Sequence, residues 1–503
     1  MIRWLTVVLA LLFPLCAVAQ TFQIRGVDFS ESDYLTNEEL QEVASGYVNR
    51  QIGLNDLQAM VQEVQDLYGR SGIVTARAIL PPQEITDGIL RVELVEAVVG
   101  AVELEDIERT RPEFFEGKLS LEVDEKPDFD ELERDFRIFD IAYDIRPTLS
   151  FRPGDEPGTT VAIIRAEEPE RFSFTGSLDN FGSEETGELR ATVYGRISSL
   201  TGWRGTLNAQ LQLSEGAYSG SIGYTRPIGA RGGKIQTALS YSDSSVISGP
   251  FAAVDIVSNN LSFSLGYNQP FRVRPQSYLY GDANIVLEQS DSELEGLPLS
   301  SQTLTEVVLS TGGLFQGNRQ NFAFNVGVKV GTADSAQVSE TEGSYQLLFA
   351  SASYARPIGE RFIFDATLRA QIAPDQNLPV ARLFSLGGPT TVRGYPLNER
   401  SGDSGLLARL QLNYGEPFRG GGEDSTWSYT PFGFADLGIV IPFRDDGSSF
   451  DSDQDILASL GLGVRIDWNS RARGLIMIAN PMKETLGFTD LSPRVYFGID
   501  WDF

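Results

Sequence analysis

The chain has 503 residues and a formal net charge of −29, with 69 acidic residues against 40 Lys and Arg. This excess of negative charge argues against a nucleic acid partner, because DNA and RNA are themselves polyanions. The sequence has no histidine, and its one cysteine, Cys16, lies in a segment that we expect to be removed. The mature chain should therefore have no disulfide, no Cys–His metal site and no catalysis that needs His or Cys.

Residues 1–19 have the three parts of a secretory signal peptide. Arg3 supplies positive charge, Trp4 to Cys16 is an apolar stretch, and Ala17-Val18-Ala19 is a small-x-small cleavage site. The apolar stretch is too short to cross a bilayer comfortably. A lipoprotein signal is the alternative, but the bulky residues before Cys16 disfavour that processing.

Residues 20–97 predict a small α+β module in the order strand, helix, helix, strand, strand. Thr36 and Glu39 form a capping box, so the first helix should begin near Asn37, and Asn55 is expected to cap the second. Residues 98–169 repeat this design more loosely around one predicted helix. Its apolar stripe consists of Phe129, Leu132, Phe136 and Phe139.

The pattern of these two modules is compatible with generic α+β domains. Their strand order also fits a module whose exposed sheet edge accepts an extended chain as an added strand. That would be a binding device and not a chemical one.

From residue 170 onward the helical periodicity gives way to alternation of apolar and polar residues. The last segment is typical, with Val495, Phe497, Ile499, Trp501 and Phe503 on one face of a strand. Several strands have nine to eleven residues, which is the length a tilted strand needs to cross a bilayer. A soluble β-sandwich would alternate too. Aromatic residues at strand ends, as in an interfacial girdle, favour a transmembrane barrel.

A repeated strand terminus, Tyr-x-x-Pro-apolar, supports the same interpretation. Tyr224 and Tyr267 begin two occurrences that lie 43 residues apart, and others begin at Tyr354 and Tyr414. A period of this length fits two strands with a short and a longer loop. At about 21 residues per strand and loop, residues 170–503 predict about sixteen antiparallel strands around an open lumen. The fold class is therefore mainly β, a barrel preceded by two small α+β domains.

One stretch, Ala381 to Gly405, is too rich in Gly and Pro for a strand and too long for a tight turn. It contains Val392-Arg393-Gly394-Tyr395. If this loop folds back into the lumen, the Arg393 guanidinium needs an acceptor, because an unpaired buried charge is costly. Asp436 in the next strand region should face the lumen and could be that acceptor. Composition alone leaves open that both are ordinary solvated charges.

These residues resemble the signatures of the POTRA-barrel superfamily of outer-membrane assembly and secretion proteins. Val392-Arg393-Gly394-Tyr395 is similar to its loop motif, and Phe434-x-Asp436-x-Gly438 is similar to its strand motif. Both modules resemble POTRA domains, and residues 72–83 look like the type found in two-partner secretion transporters, the ShlB/FhaC/HecB hemolysin secretion/activation proteins. Two modules suit that branch.

The resemblance implies a fold, a place in the cell and a set of partners. It implies an outer-membrane barrel with periplasmic POTRA domains, and a lumenal loop whose Arg393 contacts Asp436. Trp501 and Phe503 resemble the C-terminal signal by which the barrel-assembly machinery recognises its clients. The expected partners are a secreted exoprotein of hemolysin or adhesin type and outer-membrane lipid, with no cofactor and no metal.

The resemblance also has limits. Well-known members of the branch carry an N-terminal helix that plugs the barrel, whereas the first POTRA strand here is expected near Phe22, so we expect no plug helix. The alternatives for function are an assembly factor that inserts other barrels and a passive porin, which would not need the POTRA modules. No residue pattern supports an enzyme.

Overall fold

The computed structural model describes residues 21–503 apart from residues 86, 337–341, 374–375, 423–424, 444–449, 470 and 486. The predicted signal peptide, residues 1–19, lies outside the described residues. Every helix within these described ranges is too short or too polar to span a bilayer.

The first module has the predicted order of helices and sheet strands, with two short extra strands. Its elements are β1 (Phe22–Gln23), β2 (Gly26–Phe29), α1 (Asn37–Ser45), β3 (Gln51–Ile52), α2 (Leu54–Arg70), β4 (Ala76–Ile79) and β5 (Ile89–Glu96). Strand β5 lies in the centre of a three-stranded sheet, parallel to β2 and antiparallel to β4, while β1 pairs with β3. Strands β2 and β4 are therefore the edges of the sheet.

The two helices of this module begin in different ways. Thr36 and Glu39 form the predicted capping box at the start of α1. The prediction that Asn55 caps the second helix is wrong, since Gly53 is the N-cap of α2 and the Asp56 carboxylate accepts its N–H at 2.8 Å. An Asp at the third helical position can close the turn by itself, so the cap needs no side chain of its own.

The second module contains β6 (Val98–Glu105), α3 (Phe129–Ala142), β7 (Arg146–Pro153) and β8 (Thr159–Glu167). Strand β8 lies between β6 and β7, which are the edges of this sheet. The register of β6 against β8 shifts between Val99 and Ala101, and Val99 is fully buried, so the residues of β6 do not alternate regularly across Gly100.

Sixteen antiparallel strands close into a barrel, as the sequence predicted. The strands β22 and β23 both pair with β24 and form one discontinuous barrel strand. The bounds are β9 (Phe172–Asp179), β10 (Arg190–Ile197), β11 (Thr206–Leu213), β12 (Ala217–Ile228), β13 (Gly233–Ser245), β14 (Ile256–Arg274), β15 (Ser277–Leu294), β16 (Leu297–Gly317), β17 (Gln320–Ser335), β18 (Gly343–Ile358), β19 (Phe362–Ile372), β22 (Ser404–Tyr414), β23 (Phe418–Gly422), β24 (Ser425–Ile441), β25 (Ile456–Trp468), β26 (Ala472–Pro481) and β27 (Arg494–Asp502). Two short strands, β20 (Phe384–Leu386) and β21 (Arg400–Gly402), lie outside the barrel sheet.

The barrel closes where its last strand meets its first. Strand β27 pairs with β9 from Gly498 opposite Asp179 to Asp502 opposite Thr175. The Phe503 N–H extends this seam by donating to the Phe174 carbonyl at 2.9 Å. Closure leaves no sheet edge unpaired, which a sheet in lipid requires. The outward residues of the strands are exposed and apolar, among them Val326, Val330 and Leu368, so the outer surface suits lipid.

Part of the second module forms one compact unit with the barrel. This unit contains residues 106–119 and 133–147 together with residues 166–503. In it, the Arg204 side chain is 1% exposed and donates through Nε to Asp144 at 2.8 Å. The Glu168 carboxylate accepts hydrogen bonds from Thr110 and from the backbone of Arg109. The turn between β10 and β11 is thus tied to the chain that follows α3.

A buried carboxylate ties the first module to the segment that precedes α3. The Glu96 side chain is 2% exposed and accepts hydrogen bonds from Lys126 at 2.8 Å and from the Asp33 N–H at 3.0 Å. The hydroxyls of Ser32 and Tyr68 also donate to it. Burial raises the pKa of Glu96, but these hydrogen bonds outweigh burial and hold the pKa below its ordinary value of 4.5.

This network predicts an acid-sensitive module. Because the pKa of Glu96 is lower in the folded chain, its ionised form stabilises the module above pH 4.5, and that stability is lost as the pH falls through the lowered value. We expect Glu96→Gln to reduce this acid sensitivity and to cost about 1–3 kcal/mol of stability at pH 7. Urea unfolding of the full chain, with pulse proteolysis to report when residues 22–97 unfold, measures both effects. Glu93, exposed on the same strand, provides the control Glu93→Gln, and identical pH profiles for the two variants would contradict the prediction.

Candidate functional site

The connection between β19 and β22 lies inside the barrel. We call its residues 376–403 the lumenal loop. The loop contains a 3₁₀ turn at Val380–Arg382 and the hairpin strands β20 and β21, and residues 387–399 form its tip. Val392 and Tyr395 in the tip are fully buried, and Arg393 is 2% exposed. The tip therefore packs against the inner face of the barrel wall and does not extend into solvent.

Glycines allow the tip to turn sharply. Gly387, Gly388 and Gly394 have φ angles of 110°, 92° and 94°, a region that favours residues without a Cβ. The Gly388 N–H donates to the Tyr395 carbonyl at 3.1 Å and closes the turn. The turn presents Arg393 to the wall.

Arg393 and Asp436 form a bidentate ion pair. The Arg393 Nε donates to Asp436 Oδ2 at 2.7 Å and Nη2 donates to Oδ1 at 2.7 Å. The backbone N–H of Arg393 also donates to Oδ2, at 3.1 Å. The side chains are 3% and 0% exposed. Each charge is thus paired with good geometry, which a buried ion pair requires.

Two further wall residues complete the guanidinium site. Nη1 of Arg393 donates to Gln411 Oε1 at 3.1 Å. Its Cζ atom lies 3.4 Å from the centroid of the Phe434 ring, within the range of a cation–π interaction. Phe434, Asp436 and Gly438 alternate along β24 and face the lumen. These three residues of the predicted strand motif therefore meet the predicted loop motif.

The rest of the tip is held by an apolar cluster. Its buried members are Leu386, Val392, Tyr395, Leu407, Val440, Leu457 and Phe488. The Tyr395 hydroxyl lies 2.9 Å from the Lys483 carbonyl and 3.0 Å from that of Ala458. The Tyr496 hydroxyl accepts the Gly394 N–H at 3.1 Å. The tip is therefore fixed by packing and by hydrogen bonds around the ion pair.

Sequence reasoning missed a second attachment, at Arg382. Its Nε donates to Glu306 at 2.8 Å and its Nη2 donates to Glu288 at 3.0 Å. Glu306 is 2% exposed and also accepts the Tyr345 hydroxyl at 3.0 Å. A signal was present, because Glu306 stands at an inward position of a transmembrane strand, between Thr305 and Val307, where an acid needs a partner.

The predicted C-terminal signal residues lie at the seam. Trp501 pairs with Gly176 of β9, and its side chain is 41% exposed on the outer face. Phe503 is 83% exposed.

Comparison with known proteins identifies the family. Residues 158–466 match the model of the haemolysin secretion/activation protein ShlB/FhaC/HecB, and residues 22–97 match the POTRA domain of ShlB type. The chain belongs to this family. It is an outer-membrane β-barrel transporter with its POTRA domains in the periplasm, which confirms the predicted family, fold class and location.

Named relatives agree with this assignment. The chain is similar to the heme/hemopexin transporter protein HuxB of Haemophilus influenzae, with 25% identity over 78% of this chain and 72% of that protein. It is also 25% identical to the hemolysin transporter protein ShlB of Serratia marcescens, over 85% of this chain and 77% of the relative. The relatives and the family are transporters of two-partner secretion and not enzymes.

Solved structures share the fold. CdiB from Escherichia coli matches with a TM-score of 0.68 and 18% identity, over 98% of this chain and 92% of that one. BamA from Haemophilus ducreyi lacking POTRA domains 1–3 matches with a TM-score of 0.60 and 13% identity, over 96% and 99%. These likenesses concern the architecture alone.

Close approach of the tip to β24 predicts a strict requirement at Gly438. A Cβ there would lie 2.6 Å from Leu386 Cδ1 and 2.8 Å from Val392 Cγ2. We expect Gly438→Leu to displace the tip and destabilise the folded barrel by about 1–3 kcal/mol. The midpoint temperature of the heat-induced mobility shift on SDS gels measures this effect. Gly433→Leu, on the outward face of the same strand, is the control, and equal midpoints would refute the packing argument.

Proposed function

We propose that this protein exports an unfolded partner protein of the hemolysin or adhesin type through its own barrel, and that the lumenal loop gates the passage. The observation that carries the proposal is the buried Arg393–Asp436 pair, which fixes a loop of the chain inside the lumen. A loop held by well-defined sets of contacts can occupy two positions, attached and released.

The wall on β11–β13 supports a path for a polypeptide. The strand register places Asn208, Gln210, Ser221, Gln236 and Ser240 on the inner face, and in these three strands no inward residue is buried. Lys234 is the one charged residue among the inward positions of these strands. Neutral amides and hydroxyls can hydrogen-bond to a passing backbone without trapping side chains of either charge.

A groove in the POTRA region supports capture of the partner. It has a volume of about 210 Å³ and runs between the edge strands β4 and β7. Its lining includes Val74, Arg77, Val95, Phe151 and Thr160. Edge strands offer unpaired backbone groups, and side chains of mixed polarity beside them suit an extended segment that adds as a strand.

The remaining parts of the proposal concern energy and biogenesis. The sequence has no glycine-rich phosphate loop with its lysine, so folding of the partner outside the cell would supply the direction. Trp501 and Phe503 are proposed as the signal that the barrel-assembly machinery recognises during insertion into the outer membrane.

The alternative function is an assembly factor that inserts other outer-membrane proteins. If a co-expressed candidate exoprotein appears outside the cell only when this protein is present, export is favoured over assembly.

Loss of the ion pair should uncouple secretion from insertion. Arg393→Ala leaves Asp436 buried with a weaker partner, since Arg409 Nε lies 3.7 Å away. We expect about tenfold less partner protein in the medium, with a normal amount of folded barrel in the outer membrane. Arg369, an inward residue of β19 exposed to the lumen, provides the control Arg369→Ala. Normal secretion by Arg393→Ala would show that the loop has no part in transport.

The capture groove gives an independent prediction. Val74 and Leu54 are both 66% exposed, but only Val74 lines the groove. Because an exposed carboxylate costs the fold little but disfavours apolar contact with a bound segment, we expect Val74→Asp to reduce secretion several-fold at low partner expression and Leu54→Asp to leave it unchanged. Secreted protein is quantified against partner level. Equal effects of the two variants would rule out this groove as the capture site.

A further inference from the structure

The second attachment of the lumenal loop joins it to a different part of the wall from Asp436. Arg382 contacts Glu288 on β15 and Glu306 on β16, whereas Arg393 contacts Asp436 on β24. In the barrel order, β17, β18, β19 and β22 separate β16 from β24. The loop therefore spans part of the lumen and is fastened by an arginine at each side.

The wall carboxylates that bind Arg382 also have hydrogen-bond donors on the wall itself. Glu288 accepts a hydrogen bond from Asn260 at 2.8 Å, and Glu306 accepts one from Tyr345 at 3.0 Å. Lys329 Nζ lies 3.8 Å from Glu306. When Arg382 leaves, both carboxylates keep a hydrogen-bond donor on the wall, so neither becomes an unpaired buried charge.

The two attachments differ in how much apolar surface holds them. At the Arg393 side, Leu386 of β20 and Val392 and Tyr395 of the tip are all fully buried. At the Arg382 side, Leu378 is the corresponding buried side chain of the 3₁₀ turn region, and Val380 within the turn is 76% exposed. Detaching the tip would expose far more apolar area to the lumen than detaching the turn.

We propose that Arg382 is the releasable attachment of the lumenal loop, and that its separation from Glu288 and Glu306, with the Arg393 end kept in place, opens the pore. This inference rests on the proposed function, because it assigns the moving side of the gate. Arg382 is a positioning residue, since it acts through the loop and the wall carboxylates. The released turn frees the lumen beside β14–β18, next to the unburied polar wall of β11–β13.

Single-channel recording tests this assignment without any partner protein. The purified full chain is placed in planar lipid bilayers and its open fraction is measured. We expect Arg382→Gln to raise the open fraction about tenfold over the unchanged chain, because a charge-assisted hydrogen-bond pair is lost. Glu306→Gln should shift the open fraction in the same direction. Arg369→Gln, at an inward arginine exposed to the lumen on β19, should leave it unchanged.

Exchanging the charges of Arg382 and Glu306 distinguishes a releasable attachment from a merely structural contact. Arg382→Glu should open the pore more than Arg382→Gln, because it faces two carboxylates. Adding Glu306→Arg should return the open fraction toward that of the unchanged chain. The inference is overturned if Arg382→Gln leaves the open fraction unchanged, or if it lowers the heat-shift midpoint as Gly438→Leu should, since the tip would then have moved too.

Failure of the proposed function and failure of the Arg382 assignment give different results. Unchanged currents in Arg382→Gln, with partner secretion by the unchanged chain intact, overturn this inference and leave the proposed function standing. Absence of secretion by the unchanged chain with its co-expressed partner overturns the proposed function. In that case the inference, which depends on it, falls as well.

Discussion

Lipid offers no hydrogen-bond partners, so a sheet that crosses a membrane must satisfy its own backbone. That constraint closes β27 onto β9 and turns the C-terminal two thirds of the chain into a cylinder with a lumen. Sixteen strands make the lumen too wide to be filled by wall side chains alone. A segment of the same chain occupies it, and every feature of the candidate site follows from how that segment is held.

Two arginines pair the lumenal loop with carboxylates of the barrel wall. The Arg393–Asp436 pair combines full burial with four hydrogen bonds to Asp436 and Gln411 and a ring contact to Phe434. Buried ion pairs contribute little net stability against an apolar alternative, but they are specific, since each charge accepts one geometry and a misplaced loop leaves it unpaired. The same argument applies to Arg382 and its two carboxylates. Charge pairing therefore fixes where the loop lies.

The POTRA region differs from the barrel in that its sheets are open. Its sheets leave edge strands free, and the groove between β4 and β7 lies beside two of them. The Glu96 network joins the first module to the segment before α3 through a carboxylate that accepts hydrogen bonds from four donor atoms. This network would hold both edges in a constant arrangement and so lower the ordering cost for the extended segment whose capture we propose.

The sequence by itself determined the elements whose signal is local or periodic. Alternation predicted the barrel and its strand count, the capping box at Thr36 predicted the start of α1, and the loop and strand motifs predicted that Arg393 and Asp436 would be neighbours. Local rules failed where two solutions satisfy the same need, as at the Gly53 cap of α2 and the irregular register of β6. Only the tertiary structure decided that Arg382 meets Glu288 and Glu306, because residues far apart in the chain become neighbours through barrel closure and carry no mark of their pairing.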